Sequence, residues 1–260
     1  YLKADTLYNL HSPFVYTFAK EVLEDRRFFY CFAEVETLRQ QLLRNFQTIE
    51  ITDLGAGSRV NQSNERQIRD LARYSVSRPV FCRWLFRMVQ LYQPTTILEL
   101  GTSLGISTLY LSAAARQAKL ITLEGAPSIF ALAQQHFAQF DYGQIDARLG
   151  PFEEQLPSAL LDLDRLDFAY IDGNHTYEAT LHYFEQCLDH SHDRTLLVFD
   201  DIHWSVEMEK AWAEIRRHPK VRLSIDLYQA GVVSFNPDFL EKQEFLLVPY
   251  RWKPWKFGWI

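Results

Sequence analysis

A chain of 260 residues can bury a large core, as one domain or as a domain with an extension. At 47% hydrophobic and 23% charged residues it is globular rather than disordered, and a net charge of −6 argues against nucleic acid as its main partner. No uninterrupted apolar run approaches the length of a membrane helix, so no membrane partner is expected. The opening Tyr1-Leu-Lys-Ala-Asp5 does not read as a signal peptide. Cys31, Cys82 and Cys187 lack metal or redox spacing and read as buried thiols of a cytoplasmic protein.

Residues 1–92 read as helical. His11-Ser12-Pro13 can start a helix that places Phe14, Phe18, Val22 and Leu23 on one face. Phe32 to Phe46 carries Val35, Leu38, Leu42 and Leu43 in helical register, and Gln67–Tyr74 and Val80–Tyr92 predict two more helices. The last is rich in bulky apolar groups (Phe81, Trp84, Leu85, Met88, Val89) and is expected to pack on a sheet. Asp53-x-Gly55-x-Gly57 imitates a cofactor loop, but the polar run Asn61–Arg66 after it starts no apolar helix. An exposed glycine loop is expected at 53–63. The alternative is a lid bringing Arg59, Arg66 or Arg69 to a substrate.

Thr95 to Leu111 reads as a buried strand, a glycine turn bracketed by Gly101 and Gly105, and a helix. Glycine lets the backbone pass close to a ligand, and the helix start presents free N–H groups to it. Lys119–Glu124 is a second strand, ending in an acid about 20 residues beyond the turn, where a nucleoside ribose needs a hydroxyl acceptor. Strands are predicted near 96–100, 120–124, 145–149, 166–171 and 195–199, with helices near 105–117, 127–139, 176–189 and 206–218. Such alternation means a parallel sheet covered on both faces. Val221–Tyr228 and Gly231–Phe235 predict a closing hairpin. The tail from Tyr250 to Ile260, with three tryptophans, is either a strap on the core or a subunit contact, which leaves a homodimer open.

Ligands of open α/β sheets bind beyond the carboxyl ends of the strands. There the chain places Gly101-Thr102-Ser103, Glu124, the 150–157 segment, Asp172-Gly-Asn-His175 and Asp200-Asp201-Ile-His203. Each aspartate has a bland reading: Asp172 as a turn former, Asp200 or Asp201 as the cap of a helix near Ser205. Packed carboxylates raise one another's pKa unless a cation lies among them, and carboxylate ligands select Mg²⁺, Mn²⁺ or Ca²⁺ over zinc.

Glu99-Leu-Gly101-x-x-x-Gly105-x-Ser107 resembles motif I of the class I S-adenosylmethionine-dependent methyltransferases, in the version of catechol O-methyltransferase and its relatives. The resemblance spans about residues 92–236. It implies an α/β Rossmann-like sheet, mostly parallel with the last strand antiparallel, in a catalytic domain at 93–260 behind a helical extension or lid at 1–92. It implies cofactor contacts from Glu99, Gly101, Thr102, Ser103, Gly105 and Ser107 in the motif. Glu124, Gly150, Phe152 and Asp172 would contribute further contacts, with Phe152 in the place that meets adenine. Asp172, Asp200 and Asp201 fall where the metal-dependent O-methyltransferases bind a divalent cation, Mg²⁺ first. Where the catechol-type enzymes carry a catalytic lysine this chain has His175. Asp172-Gly-Asn-His-Thr-Tyr177 is similar to the Asp-Gly-x-His-x-Tyr run of sugar O-methyltransferases.

The function implied is O-methyl transfer to a small-molecule hydroxyl, with metal assistance and His175 as the base. His203 is a second candidate. Alternatives are a cofactor-binding protein without transferase activity and an NAD-dependent oxidoreductase, which the missing third glycine disfavours.

Overall fold

The computed structural model describes residues 3–51 and 65–253 of the chain. The N-terminal part is helical, as its apolar spacing requires. Pro13–Phe18 forms α1, with Pro13 in the first turn, and continues as a π-helical turn over Ala19–Leu23. Tyr30–Leu42 is α2, and a small antiparallel pair follows, β1 (Thr48–Glu50) with β2 (Glu65–Gln67). Ile68–Tyr74 is α3 and Pro79–Tyr92 is α4. The glycine loop expected at 53–63, Arg59 included, lies outside the described residues. Arg66 is in β2 and Arg69 in α3.

From Thr96 onward strands and helices alternate. The elements are β3 (Thr96–Leu100), α5 (Ile106–Ala114), β4 (Lys119–Glu124), α6 (Pro127–Phe137), β5 (Ile145–Leu149) and α7 (Phe152–Leu163). Then come β6 (Leu166–Ile171), α8 (Tyr177–Asp189), β7 (Ser191–Asp200), α9 (Val206–Arg217), β8 (Leu223–Asp226), β9 (Ala230–Ser234) and β10 (Gln243–Leu246). The eight-stranded sheet has the order β10-β8-β9-β7-β6-β3-β4-β5. Strands β5, β4, β3, β6 and β7 are parallel, and β9 is antiparallel to both β7 and β8.

Two elements escape the sequence reading. No helix is predicted between 139 and 176, yet α7 starts at Phe152 and runs through Pro157. Burial of Leu156, Ala159, Leu160 and Leu163 against the sheet outweighs the hydrogen bond that the proline forfeits. Beyond the expected hairpin, β10 adds parallel to β8, so the antiparallel strand lies inside the sheet rather than at its edge.

Both faces are covered. On one, α1, α4 and the π turn pack on Ile97, Leu120, Phe168, Tyr170, Leu196 and Val198. On the other, α7, α8 and α9 pack on Leu98, Leu100, Ala169, Ile171, Leu197 and Phe199. Residues before position 93 thus share a core with the sheet. Cys31, Cys82 and Cys187 are buried and free. Among the described residues no helix is long and apolar enough to cross a membrane. The two ends of the described chain meet at the β10 edge. Asp5 N donates to Leu246 O at 2.6 Å, Val248 N to Asp5 O at 3.1 Å, and the buried Lys253 Nζ to Ala4 O at 2.8 Å.

At the opposite end of the strands from the glycine turn, Asp167 ties β6 to its neighbours. Its Oδ2 accepts from Thr95 N (2.7 Å) and Thr95 Oγ1 (2.6 Å), and its Oδ1 pairs with His192 Nε2 (2.9 Å). Burial works to raise its pKa, but these donors hold it down to about 2. Asp167→Asn should cost ~1–3 kcal/mol at pH 7, measured by denaturant unfolding. The wild-type advantage should persist above the ordinary carboxyl pKa of ~3.9 and fade as pH falls toward 2.

Candidate active site

Side chains alternate along a strand, and this puts Glu99, Thr122, Glu124, Tyr170, Asp172 and Asp200 on the sheet face covered by α4. At the end of β3 the chain turns through Gly101 (φ +100°), Ser103 (φ +48°) and Gly105 (φ +81°) into α5. A Cβ on Gly101 would stand 1.9 Å from the Asp172 carbonyl oxygen, and one on Gly105 would stand 2.5 Å from the Phe137 ring. Glu124 is held by this turn: Oε2 accepts from Ser103 N (2.8 Å) and Oε1 from Ala126 N (2.9 Å). A carboxylate has about four acceptor positions, so capacity for two more donors is left. Gly150 N donates to Glu124 O at 3.0 Å, which sets the 150–152 corner beside it. The Phe152 ring lies on Gly173, where a Cβ would come within 2.4 Å of it.

Glu99 is fully buried beneath the turn. Its Oε2 accepts from Thr108 Oγ1 (2.5 Å) and Thr122 Oγ1 (2.7 Å), Thr122 in turn meets Thr102 Oγ1 (2.6 Å), and Oε1 has no hydrogen-bond partner among the described residues. Burial pushes Glu99 up to about 7 against the hydroxyls of Ser107, Thr108 and Thr122. The orphaned Oε1 and the pinned Glu124, on either side of a glycine turn, fit a cofactor carrying both an amino group and a ribose.

The acids after β6 and β7 meet around a tyrosine. Tyr170 Oη lies 2.9 Å from Asp172 Oδ2 and 2.5 Å from Asp200 Oδ2, and Ser77 Oγ reaches it at 2.9 Å. Asp200 Oδ1 accepts from Asp201 N (2.9 Å). Burial, then the charge of Asp201, pushes Asp172 up to about 7. Burial and both neighbouring acids also raise Asp200 well above the usual carboxylate range. His175 Nε2 stands 3.5 Å from Asp172 Oδ1 and 4.0 Å from Asp201 Oδ2.

Three carboxylates suit a hard cation. Here the space between Asp172 and Asp200 holds the Tyr170 hydroxyl, and Asp201 faces His175. Among the described residues no group of three His, Cys, Asp or Glu side chains is placed to hold a metal ion. The expected Asp172–Asp200–Asp201 cation site is not assembled in this arrangement.

The helix caps belong to other residues. Thr176 caps α8 by accepting from Ala179 N, and Ser205 caps α9 by accepting from Met208 N, so neither His175 nor Asp200 nor Asp201 serves as a cap. His203 has both ring nitrogens on carboxylates, Nε2 to Asp226 (2.8 Å) and Nδ1 to Glu209 (3.4 Å), and the bond to Asp226 raises its pKa. With both nitrogens engaged by carboxylates, neither is offered as a base.

Sequence reading missed Tyr170 and Ser77. Tyr170 had a signal, since it lies two residues before Asp172 on the same strand face. Ser77 had none, because only the fold brings the connection before α4 across this edge. There Ser103 Oγ also reaches Ser75 O at 3.2 Å, so residues 75–77 run from the glycine turn to the acids.

Residues 98–202 match a family model described as a methyltransferase domain. No curated protein matches the chain in sequence. Among solved structures, the chain is similar to an SAH-bound methyltransferase of Podospora anserina (15% identity, TM-score 0.60, covering 87% of this chain and 97% of that one). It is also similar to an O-methyltransferase of Bacillus cereus in complex with SAH (17%, TM-score 0.56, covering 80% and 92%). A third is the Streptomyces achromogenes O-methyltransferase involved in tomaymycin synthesis, in complex with SAM (17%, TM-score 0.57, covering 85% and 94%). Residues 98–202 thus match a methyltransferase domain, and the fold is the Rossmann-like one of these methyltransferase structures.

The buried Glu99 makes stability depend on pH. Its folded pKa lies above the ordinary value of 4.5, so the unfolded chain loses this proton first and the fold weakens as pH rises from about 4.5 to about 7. Glu99→Gln should therefore gain in melting temperature relative to wild type between pH 5 and pH 8. An offset that is the same at both pH values would show that Glu99 is ionised in the fold.

Proposed function

We propose that this protein transfers a methyl group from S-adenosylmethionine to a hydroxyl of a small molecule, with His175 as the base. The observation that carries this reading is the placement of His175: Asp172 orients its ring, and the Asp172 carbonyl abuts the Gly101 turn. Glu99, the 101–105 turn, Glu124 and the Gly150–Phe152 corner would hold the cofactor, which supplies an electrophilic methyl. Displacement at that methyl is in line, so alignment of the acceptor oxygen contributes most of the rate. Asp172 and Asp201 face Nε2 and favour the tautomer with its proton there, which leaves Nδ1 to take the hydroxyl proton. Residues 75–77, crossing above the acids, support reading 1–92 as an extension that closes over a catalytic domain at 93–260.

Metal assistance, which the resemblance implies, is not part of this mechanism, because Tyr170 and His175 stand between the acids that would share the cation. Turnover of a panel of phenols and vicinal diols with and without chelator decides the point: loss in chelator, restored by Mg²⁺, would bring a cation back.

Glu124→Gln should weaken binding of S-adenosylhomocysteine by about tenfold, the loss expected when a charge-assisted hydrogen bond becomes a neutral one. Calorimetry with S-adenosylhomocysteine and with NAD tests this. Binding of NAD alone would overturn the reading in favour of an oxidoreductase. His175→Ala should lower kcat by roughly 10²–10⁴-fold with cofactor affinity unchanged. Cofactor binding without any turnover over the whole panel would favour a binding protein on the same fold.

A further inference from the structure

Tyr170 sits in the interior of the sheet, on β6 between β3 and β7. Its ring is fully buried, with its centroid 6.0 Å from that of Phe81 in α4. A phenylalanine would fill that place in the core equally well. What the tyrosine adds is a hydroxyl, which is costly to bury unless it finds partners. Here it finds three: Asp172 Oδ2 at 2.9 Å, Asp200 Oδ2 at 2.5 Å and Ser77 Oγ at 2.9 Å.

The same acids have their other contacts met within the chain. Asp200 Oδ1 accepts from Asp201 N at 2.9 Å, and Ser77 Oγ lies 3.4 Å from Asp200 Oδ2. Asp201 makes its bond with φ at +54°, and its own carboxylate faces His175. Ser77 is fixed in turn: the buried Cys82 donates to Ser77 O at 3.3 Å, and Arg39 Nη2 of α2 reaches Cys82 Sγ at 3.5 Å. The hydroxyl is thus held by a central strand on one side and by the connection before α4 on the other. In a close-packed interior a ring so enclosed does not withdraw to admit an ion.

A divalent cation shared by two carboxylates lies about 2.0–2.6 Å from an oxygen of each. It would compete for the same Asp172 and Asp200 oxygens that the hydroxyl already joins. We propose that Tyr170, backed by Ser77, takes the place of that cation: its hydroxyl bridges Asp172 and Asp200 from within the chain, holds Asp172 where it orients His175, and closes the acids to metal. Tyr170 and Ser77 are then positioning residues, acting on the base through Asp172. This inference rests on the methyltransferase reading for what His175 does, whereas the bridge itself is judged without turnover.

The test titrates the full chain with Mn²⁺ alone, following the free ion by electron paramagnetic resonance. Up to about 1 mM Mn²⁺, wild type should show no saturable binding that Asp200→Asn abolishes. Tyr170→Phe and Tyr170→Leu both remove the hydroxyl, and the leucine also clears the end of the ring. One or both should bind Mn²⁺ at least about tenfold more tightly than wild type, and adding Asp200→Asn should abolish the gain. A tyrosine that only packs the core would give no such gain. Asp200→Asn should also raise the melting temperature by roughly 2–4 °C more in Tyr170→Phe than in wild type, because without the bridge Asp172 and Asp200 repel unopposed.

A wild-type Mn²⁺ site that is lost in Asp200→Asn would overturn the proposal. So would failure of both Tyr170 variants to gain such a site, a gain that survives Asp200→Asn, or equal melting shifts in the two backgrounds. Ser77→Ala, which leaves the ring in the core, stands in for a Tyr170 variant that does not fold. An Asp200→Asn shift no larger there than in wild type would likewise overturn the bridge. Calorimetry with S-adenosylhomocysteine runs alongside. Its failure to bind counts against the methyltransferase reading, while the bridge is judged on Mn²⁺ and on melting.

Discussion

Gly101 and the carbonyl of Asp172 come so close that no side chain fits between them. The N–H of Asp172 donates to Leu100 O at 2.8 Å, so the ends of β3 and β6 are sewn together where the first strand turns into its helix. Three consequences follow from this one approach. The 101–105 turn has to adopt positive φ, which glycine does without strain. The start of α5 is aimed across the sheet edge. Asp172, and through it His175, is set at a fixed offset from the turn. An alanine at position 101 would push apart the two strands whose ends define the site.

That edge concentrates acids to a degree the rest of the sheet does not. Glu99, Glu124, Asp172 and Asp200 are drawn from four strands and lie on one face, and all four carboxyls are raised by burial. Hydroxyls hold three of them, Thr108 and Thr122 at Glu99, Tyr170 and Ser77 at the aspartates, while backbone N–H groups hold Glu124. Hydroxyls can donate to a carboxylate or accept from a carboxylic acid, so they satisfy either state of protonation. Around Glu99 and the aspartates the face can therefore tolerate a change of charge, as the proposed uptake of a proton by His175 would require.

Much of this was legible in the residues themselves. Glu99 to Ser107 announced strand, turn and helix because each signal there is local: an apolar run, two glycines, then helical spacing. Glu124, Asp172, Asp200 and Asp201 were legible because strand ends define a sheet edge. The failures have physical causes. Helix α7 was hidden by Pro157, whose cost is met by packing that no local window reports. β10 was hidden because Gln243-Glu-Phe-Leu246 has little strand character apart from its place beside β8. The cation site looked plausible while the acids were considered alone, and Tyr170 changed that by standing between two of them. His203 read as a base until Asp226 and Glu209 took both its nitrogens, and the closer of these contacts, to Asp226, comes from 23 residues away.

The pairing of Asp5 with Leu246 and Val248 joins segments separated by almost the whole length of the chain. Closing so long a loop costs more chain entropy than any neighbouring strand pair in the sheet, and that cost must be met before the pairing returns anything. The β10 edge should therefore assemble last, after β3, β4 and β6 have already brought the glycine turn and Asp172 together. It should also be the first part to open in the folded state. Amide protons of Asp5 and Val248 would exchange with solvent through this local opening, while those at the Gly101–Asp172 junction wait for the whole sheet to unfold.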